Sequence, residues 1–244
     1  MKVSAKYFVQ CRAQIPQRLI NCPTGLESLA QVERLLVHQQ IDLLEVISGT
    51  PTNNNYIVKD AAGQQMFFAA EENNSCNRMC CGSSRSFTIS LTDNSRREAF
   101  TLERSLNCSS CCCPCCLQEL EVHAPRGKPI GYVTQNWHPC LPKFTILNER
   151  RKPVLKIDGQ CCMGSCGSQV YFKIKTLDTS SLVGGIFKQP TDFVQETFTN
   201  ADNYGLQFPM DLDVKIKATV LGACFLIDFM YFEGRPTAPV AQVC

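Results

Sequence analysis

The segment Val214–Phe232, VKIKATVLGACFLIDFMYF, is apolar on every side from Ala218 to Ile227 before Asp228 interrupts it. A helix without a polar face has to be enclosed, either by the rest of the protein or by lipid. Crossing a bilayer takes about 20 apolar residues, and a carboxylate near the middle is costly there unless it is paired. This run is shorter and contains Asp228, so the physical reading is a core helix, with a bilayer span as the alternative.

The rest of the chain supplies material for an enclosing wall. Between the first 50 residues and about residue 210 the pattern is short alternating or apolar runs separated by polar turns, as in NYIVKDAAGQQMFFAAE, SFTISLTDNSRREAFTLER and KFTILNERRKPVLKID. Each reads as strand, turn, strand. About ten strands joined mostly by hairpins argue for a closed or nearly closed antiparallel sheet, because closure removes exposed edges. Ahead of them, Thr24 followed by Glu27 has capping-box spacing, and Leu26, Leu29, Val32 and Leu36 keep a helical period. An N-terminal helix over Leu26 to Leu36 is expected, then a strand over Ile41 to Ile47.

The cysteines narrow the chemistry. NCSSCCCPCCLQ places Cys108, Cys111, Cys112, Cys113, Cys115 and Cys116 within twelve positions. The N-terminus lacks the apolar core of a secretory signal, which predicts a cytosolic chain with reduced thiols, and an odd total of 17 cysteines cannot all pair internally. Zinc is one alternative, with Cys108 and Cys111 as one pair and Cys76, Cys80 and Cys81, or Cys161, Cys162 and Cys166, as the other. A closed tetrahedral site favours two separated pairs, and adjacent cysteines diverge, so the run fits poorly. Thioacylation fits better, since two or more fatty chains hold a protein firmly on a membrane where one does so only marginally. An unmodified thiol-rich loop is the third alternative. Lys2 and the terminal Cys244 match neither a myristoylation signal nor a prenylation box.

NADNYGLQFPMD, Asn200–Asp211, has the length of a calcium loop, with Gly205 sixth, where such a loop turns sharply. Asn200, Asp202, Tyr204, Leu206, Phe208 and Asp211 occupy its ligand positions, and Asp213 lies just beyond. Two carboxylates in place of four or five predict weak Ca2+ binding. The competing reading is a polar turn between the last strand and the helix. His38, His123 and His138 show no nucleophilic arrangement, although Cys140 lies two residues from His138. Trp137 is the only tryptophan, in the proline-punctuated NWHPCLP, and can pack at the barrel mouth or anchor at an interface. A net charge of +2, and only Lys188 in GGIFKQPTDF, give no support for a nucleic-acid partner. No phosphate-cradling G-x-x-x-x-G-K-[ST] motif is present.

CPTGLESLAQVERLLVHQQIDLLEV, SSCCCPCCLQELEV, QNWHPCLPKFTI, NADNYGLQFPMDLDVKIKA and GACFLIDFMYFE together resemble the phospholipid scramblase family, in the family's order, from about Cys22 to Glu233. The resemblance implies a mainly β, tubby-like fold: a closed, antiparallel, twelve-stranded barrel around a central hydrophobic C-terminal helix. The domain is then 22–233, including the helix at 214–232, between tails at 1–21 and 234–244. It implies palmitate on Cys111, Cys112, Cys113, Cys115 and Cys116, calcium at 200–211, and association with a phospholipid membrane at the cytosolic face of the plasma membrane or an internal one. The implied activity is calcium-responsive, ATP-independent movement of lipids between leaflets, without covalent chemistry; the mechanism expected for it here has calcium at Asp202 and Asp211 changing the exposure of the final helix. The alternative function is a palmitoyl-tethered module that binds protein partners or phospholipid heads, its helix permanently buried. The proline-rich N-terminal arm of the family's longer members is not matched, as Pro16 and Pro23 are the only prolines in the first 23 residues.

Overall fold

The structure, a computed structural model, describes residues 22–40, 53–72, 85–106, 116–160, 170–189 and 203–233. Twelve strands form a closed antiparallel barrel: β1 (Arg34–Gln40), β2 (Asn55–Asp60), β3 (Gln65–Glu72), β4 (Phe87–Thr92), β5 (Glu98–Arg104), β6 (Glu119–His123), β7 (Pro129–Asn136), β8 (Lys143–Asn148), β9 (Pro153–Asp158), β10 (Val170–Thr176), β11 (Leu182–Gln189) and β12 (Asn203–Gln207). Each strand pairs with its neighbours in sequence, and β1 closes the ring on β12, with Leu36 opposite Gly205. Period-two alternation sets the inner wall. Leu35 and Val37, Tyr56 and Val58, Phe67 and Ala69, Phe100 and Leu102, Phe144 and Ile146 all point inward and are buried.

One helix, α1 (Val214–Tyr231), fills the interior, and every residue from Ile216 to Phe229 is buried. Asp213 caps it, its side chain accepting from the amides of Lys215 (2.8 Å) and Ile216 (3.4 Å). The uniform apolarity that singled this segment out is satisfied by the barrel wall on all sides. Glycines admit it: a Cβ on Gly131 of β7 would lie 2.2 Å from Thr219 Oγ1, and one on Gly222 would lie 2.9 Å from Leu120 Cδ2. No helix among the described residues is long and apolar enough to cross a membrane.

The N-terminal helix is a correction. Residues Glu27–Gln31 form a single 3-10 turn, and the chain is extended in β1 from Arg34. Leu26 and Leu29 are three apart, a spacing a 3-10 turn satisfies as well as an α-helix does, and both are buried. Glu27 takes part in no capping box with Thr24, and its carboxylate accepts from the Gly25 amide at 2.8 Å. The strand expected over Ile41 to Ile47 lies outside the described residues.

The two ends of the barrel differ in construction. At one end the strands join through tight turns at 61–64, 93–97, 124–128 and 149–152. Gly63, Arg96, Gly127 and Arg151 take positive φ there, and the ladder slips beside each turn, as between Val58 and Lys59. Asp60, Asp93 and Asn148 hold the turns, each side chain accepting from two backbone amides. This turn rim also receives the N-terminus of α1. At the other end lie the strand ends flanking 41–54, 73–86, 105–118, 137–142, 159–169 and 190–202, together with the C-terminus of α1.

Candidate functional site

Thirteen of the 17 cysteines fall in the chain between the strand ends of that second rim: Cys76, Cys80, Cys81, Cys108, Cys111, Cys112, Cys113, Cys115, Cys116, Cys140, Cys161, Cys162 and Cys166. Up-and-down connectivity makes this unavoidable, since alternate connections in a meander share one end. Of the expected lipidation residues, Cys111, Cys112, Cys113 and Cys115 lie outside the described residues. Cys116 is placed, and it is buried; its carbonyl accepts from Gln118 Nε2 at 3.0 Å.

The interior just beneath this rim is polar and charged. Arg85 is buried and donates from Nε to Glu71 Oε1 (2.8 Å) and from Nη1 to Glu233 Oε2 (2.8 Å), while its guanidinium lies 4.8 Å from the centre of the Phe229 ring. Burial alone pulls the Arg85 guanidinium downward, but the bonds to Glu71 and Glu233 outweigh it and hold it above its ordinary range. Asn54 ties in from β2's side, donating from Nδ2 to Glu233 Oε1 at 2.8 Å. Nearby Arg104 donates from Nε to Gln118 Oε1 at 3.0 Å, and burial, with Arg85 beside it, lowers its guanidinium to about 10. Five residues before Glu233, Asp228 of α1 accepts from Tyr56 (2.7 Å) and Tyr204 (2.5 Å). Burial first, and then the Asp228 charge, push the Tyr56 phenol well up.

The turn rim is closed by a different device. Lys217, fully buried, donates from Nζ to the carbonyls of Leu29 (3.1 Å), Val32 (2.7 Å) and Met210 (2.9 Å), tying the 3-10 turn and the chain after β12 to the helix. The buried charges of the helix therefore both find partners, Asp228 on strands of the barrel and Lys217 on the segments that cover the turn rim.

The expected calcium loop does not take the shape a calcium loop requires. Gly205 is mid-strand, paired with Leu36 and Phe187, and Tyr204, Leu206 and Phe208 are buried in the interior. Asn200 and Asp202 lie outside the described residues, and Asp211 is exposed beyond the far end of β12. Asn203 to Gln207 covers about 13 Å of extended chain, whereas calcium ligands lie within about 2.6 Å of their ion. Residues at the two ends of this strand cannot share one ion. No group of three or more His, Cys, Asp or Glu side chains that could hold a metal occurs among the described residues.

The histidines are engaged structurally. His138 Nδ1 accepts from the backbone amides of Cys140 (3.2 Å) and Leu141 (2.9 Å), so that nitrogen does not face the Cys140 thiol as a base. His38 contacts Asn203, and His123 lies between Glu103 and Glu121 on the outer wall. The sequence reading missed Glu71 and Arg104, although each carries a signal. Glu71 continues the inward parity of Phe67 and Ala69, and Arg104 that of Phe100 and Leu102, so both were charges placed on the core side of a strand.

Comparison with known proteins identifies relatives of the chain. The Scramblase family model matches residues 13–234. The chain is 60% identical over 218 residues to phospholipid scramblase 1 of Mus musculus, covering 89% of this chain and 66% of that protein. It is 60% identical over 219 residues to phospholipid scramblase 1 of Homo sapiens (90% and 69% covered) and 56% identical over 218 residues to human phospholipid scramblase 2 (89% and 73% covered). The chain thus spans about two thirds of the length of the first two relatives. An X-ray structure of an Arabidopsis thaliana protein superposes with a TM-score of 0.44 at 8% identity, over 85% of this chain and 99% of that one. Matched by the family model over nearly its whole length, and identical to these relatives at more than half of the aligned positions, the chain belongs to the Scramblase family.

Proposed function

We propose that this protein moves phospholipids in both directions between membrane leaflets, responding to calcium, using no ATP and making or breaking no covalent bond. The observation that carries the reading is the 60% identity to phospholipid scramblase 1 across 218 residues, beside a family model whose match over 13–234 takes in the entire barrel and helix. Fatty chains on Cys111, Cys112, Cys113 and Cys115, with Cys116 as the buried end of the segment, are proposed to hold the barrel at the cytosolic face of a membrane. The filled interior offers lipid headgroups no route through the barrel, so the reading places lipid passage outside it, along protein that contacts the bilayer. No step is assigned to calcium, because the described part of 200–211 supplies no coordination sphere.

A second reading is favoured by that same filled interior: a lipid-tethered interaction module whose helix never leaves the barrel. Reconstitution of the purified full chain into vesicles carrying a fluorescent lipid, bleached from outside by dithionite, separates the two. The first reading expects the protected fraction to fall without nucleotide, and faster with calcium. Protection that persists at every calcium concentration overturns it and leaves the module.

A further inference from the structure

The outer wall of the barrel divides by charge. Strands β3, β5 and β6 turn five carboxylates outward, Glu72, Glu98, Glu103, Glu119 and Glu121, relieved by Arg126, which binds Glu72, and by Arg151, which binds Glu119. Five adjacent strands on the other side, β10, β11, β12, β1 and β2, have the opposite character. The charged side chains at their outward positions are Arg34, Lys59, Lys173 and Lys175, and no Asp or Glu stands among them. The nearest carboxylates lie at the edges: Asp158 on β9, bonded to Lys175 at 2.8 Å, with Glu33 and Asp60 at the turn rim.

The same wall carries apolar side chains between its cations. Tyr171 faces Phe187 across β10 and β11, Phe187 faces Gly205 of β12, and Gly205 faces Leu36 of β1. Glycine makes room for the rings. A Cβ on Gly205 would lie 2.1 Å from the Phe187 ring, and one on Gly185 would lie 2.3 Å from the Tyr171 hydroxyl, so both rings rest against bare backbone. The Arg34 guanidinium stands 5.7 Å from the centre of the Phe187 ring. Half-buried rings beside long cationic side chains suit the boundary of a bilayer, where rings settle among headgroups while Lys and Arg stems lie on apolar surface and their charges reach phosphates. An anionic leaflet favours such a wall by about fivefold in affinity for each cation near its surface, and repels the glutamate wall.

We propose that the outer wall formed by β10, β11, β12, β1 and β2 lies against a bilayer containing anionic phospholipid, so that the barrel rests on its side with β6 and its glutamates turned to water. The inference rests on the scramblase reading and names the protein surface along which lipid passage outside the barrel runs.

Trp137, the only tryptophan, directly follows β7, which stands six places from β1 in the ring of twelve and so faces away from this bilayer. The unmodified full chain is therefore compared with a Gln207→Trp, Trp137→Phe chain, which moves the tryptophan to an exposed outward position of β12. The probe is vesicles of phosphatidylcholine and phosphatidylserine in equal parts, with a matched set whose phosphatidylcholine is brominated near the top of the acyl chain. Expected is co-sedimentation of both chains, with emission shifted to the blue and quenched in the Gln207→Trp, Trp137→Phe chain and unchanged in the unmodified one. Lys59→Glu and Lys173→Glu should each lower partition by about tenfold, and Lys128→Glu, the same change at an exposed turn after β6, should stay within about twofold of wild type. Quenching of the unmodified chain, or of neither chain, overturns the orientation and leaves membrane association standing. Equal losses from Lys128→Glu and Lys173→Glu overturn the wall as the docking surface. Protein that remains in the supernatant also overturns it, while the scramblase reading stands or falls separately on the dithionite assay. A dimer in lipid-free solution that Lys173→Glu splits shows the wall covered by a second copy and overturns the proposal.

Discussion

Replacing Asp228 by alanine should be among the most damaging single changes in the chain. Its carboxylate accepts from Tyr56 at 2.7 Å and Tyr204 at 2.5 Å, inside a barrel where all three residues are at most 3% exposed. Truncation takes the shared acceptor away from two buried phenols, at about 1–3 kcal/mol each, and opens a small void as well, giving a total of about 3–5 kcal/mol. Tyr56→Phe removes one donor and leaves the carboxylate its other partner, at about 1–2 kcal/mol. A double-mutant cycle between positions 56 and 228, read by urea unfolding followed with far-UV circular dichroism, should therefore return a coupling of about 1–3 kcal/mol. The triple variant Asp228→Leu, Tyr56→Phe, Tyr204→Phe replaces the carboxylate and both phenols at once and should recover most of the loss. A coupling below about 0.5 kcal/mol would refute the placement of α1 inside the barrel, because a helix located anywhere else has no contact between Asp228 and these tyrosines.

Other expectations test separate parts of the fold. Arg96 holds φ near 60° in an exposed turn, so Arg96→Gly should stabilise by about 1 kcal/mol, visible as a raised urea midpoint. Gly131→Ala drives a methyl into Thr219 Oγ1 and should destabilise by about 1–3 kcal/mol, with Thr219→Ala in the same chain restoring part of the loss. Cys224 is buried at the middle of α1, where burial and then Asp228 push its thiol well up, so peptide mass spectrometry after maleimide treatment should find it unmodified in the native protein while exposed Cys140 reacts. Rapid labelling of Cys224 on vesicles with calcium, and not without it, would show the helix leaving the barrel during activity.

What the sequence conveyed depended on whether a feature was local. The hairpins announced themselves through Asp60, Asp93 and Asn148 at turn starts, and the helix through its lack of a polar face. The stretch after Thr24 misled because Leu26 and Leu29 fit two helical geometries, while the decisive alternation of Leu35 and Val37 is only two residues long. The calcium template gave weight to Gly205 and passed over Tyr204, Leu206 and Phe208, an apolar stripe at period two that belongs to a strand. The bonds from Arg85 to Glu233 span 148 positions and leave no local trace. The inward parity of Glu71 and of Arg104 was the local hint that buried charges awaited partners.

Because α1 follows all twelve strands in sequence, a ribosome delivers the barrel's filling after its wall. Until that final segment emerges, the nascent strands have nothing to close around, and β1 waits through the whole of translation for β12. Such a chain folds late and through long-range contacts, with its apolar inner faces in need of chaperone cover meanwhile. A stop codon between β12 and Val214 would leave twelve strands with nothing to close around, and not a smaller domain.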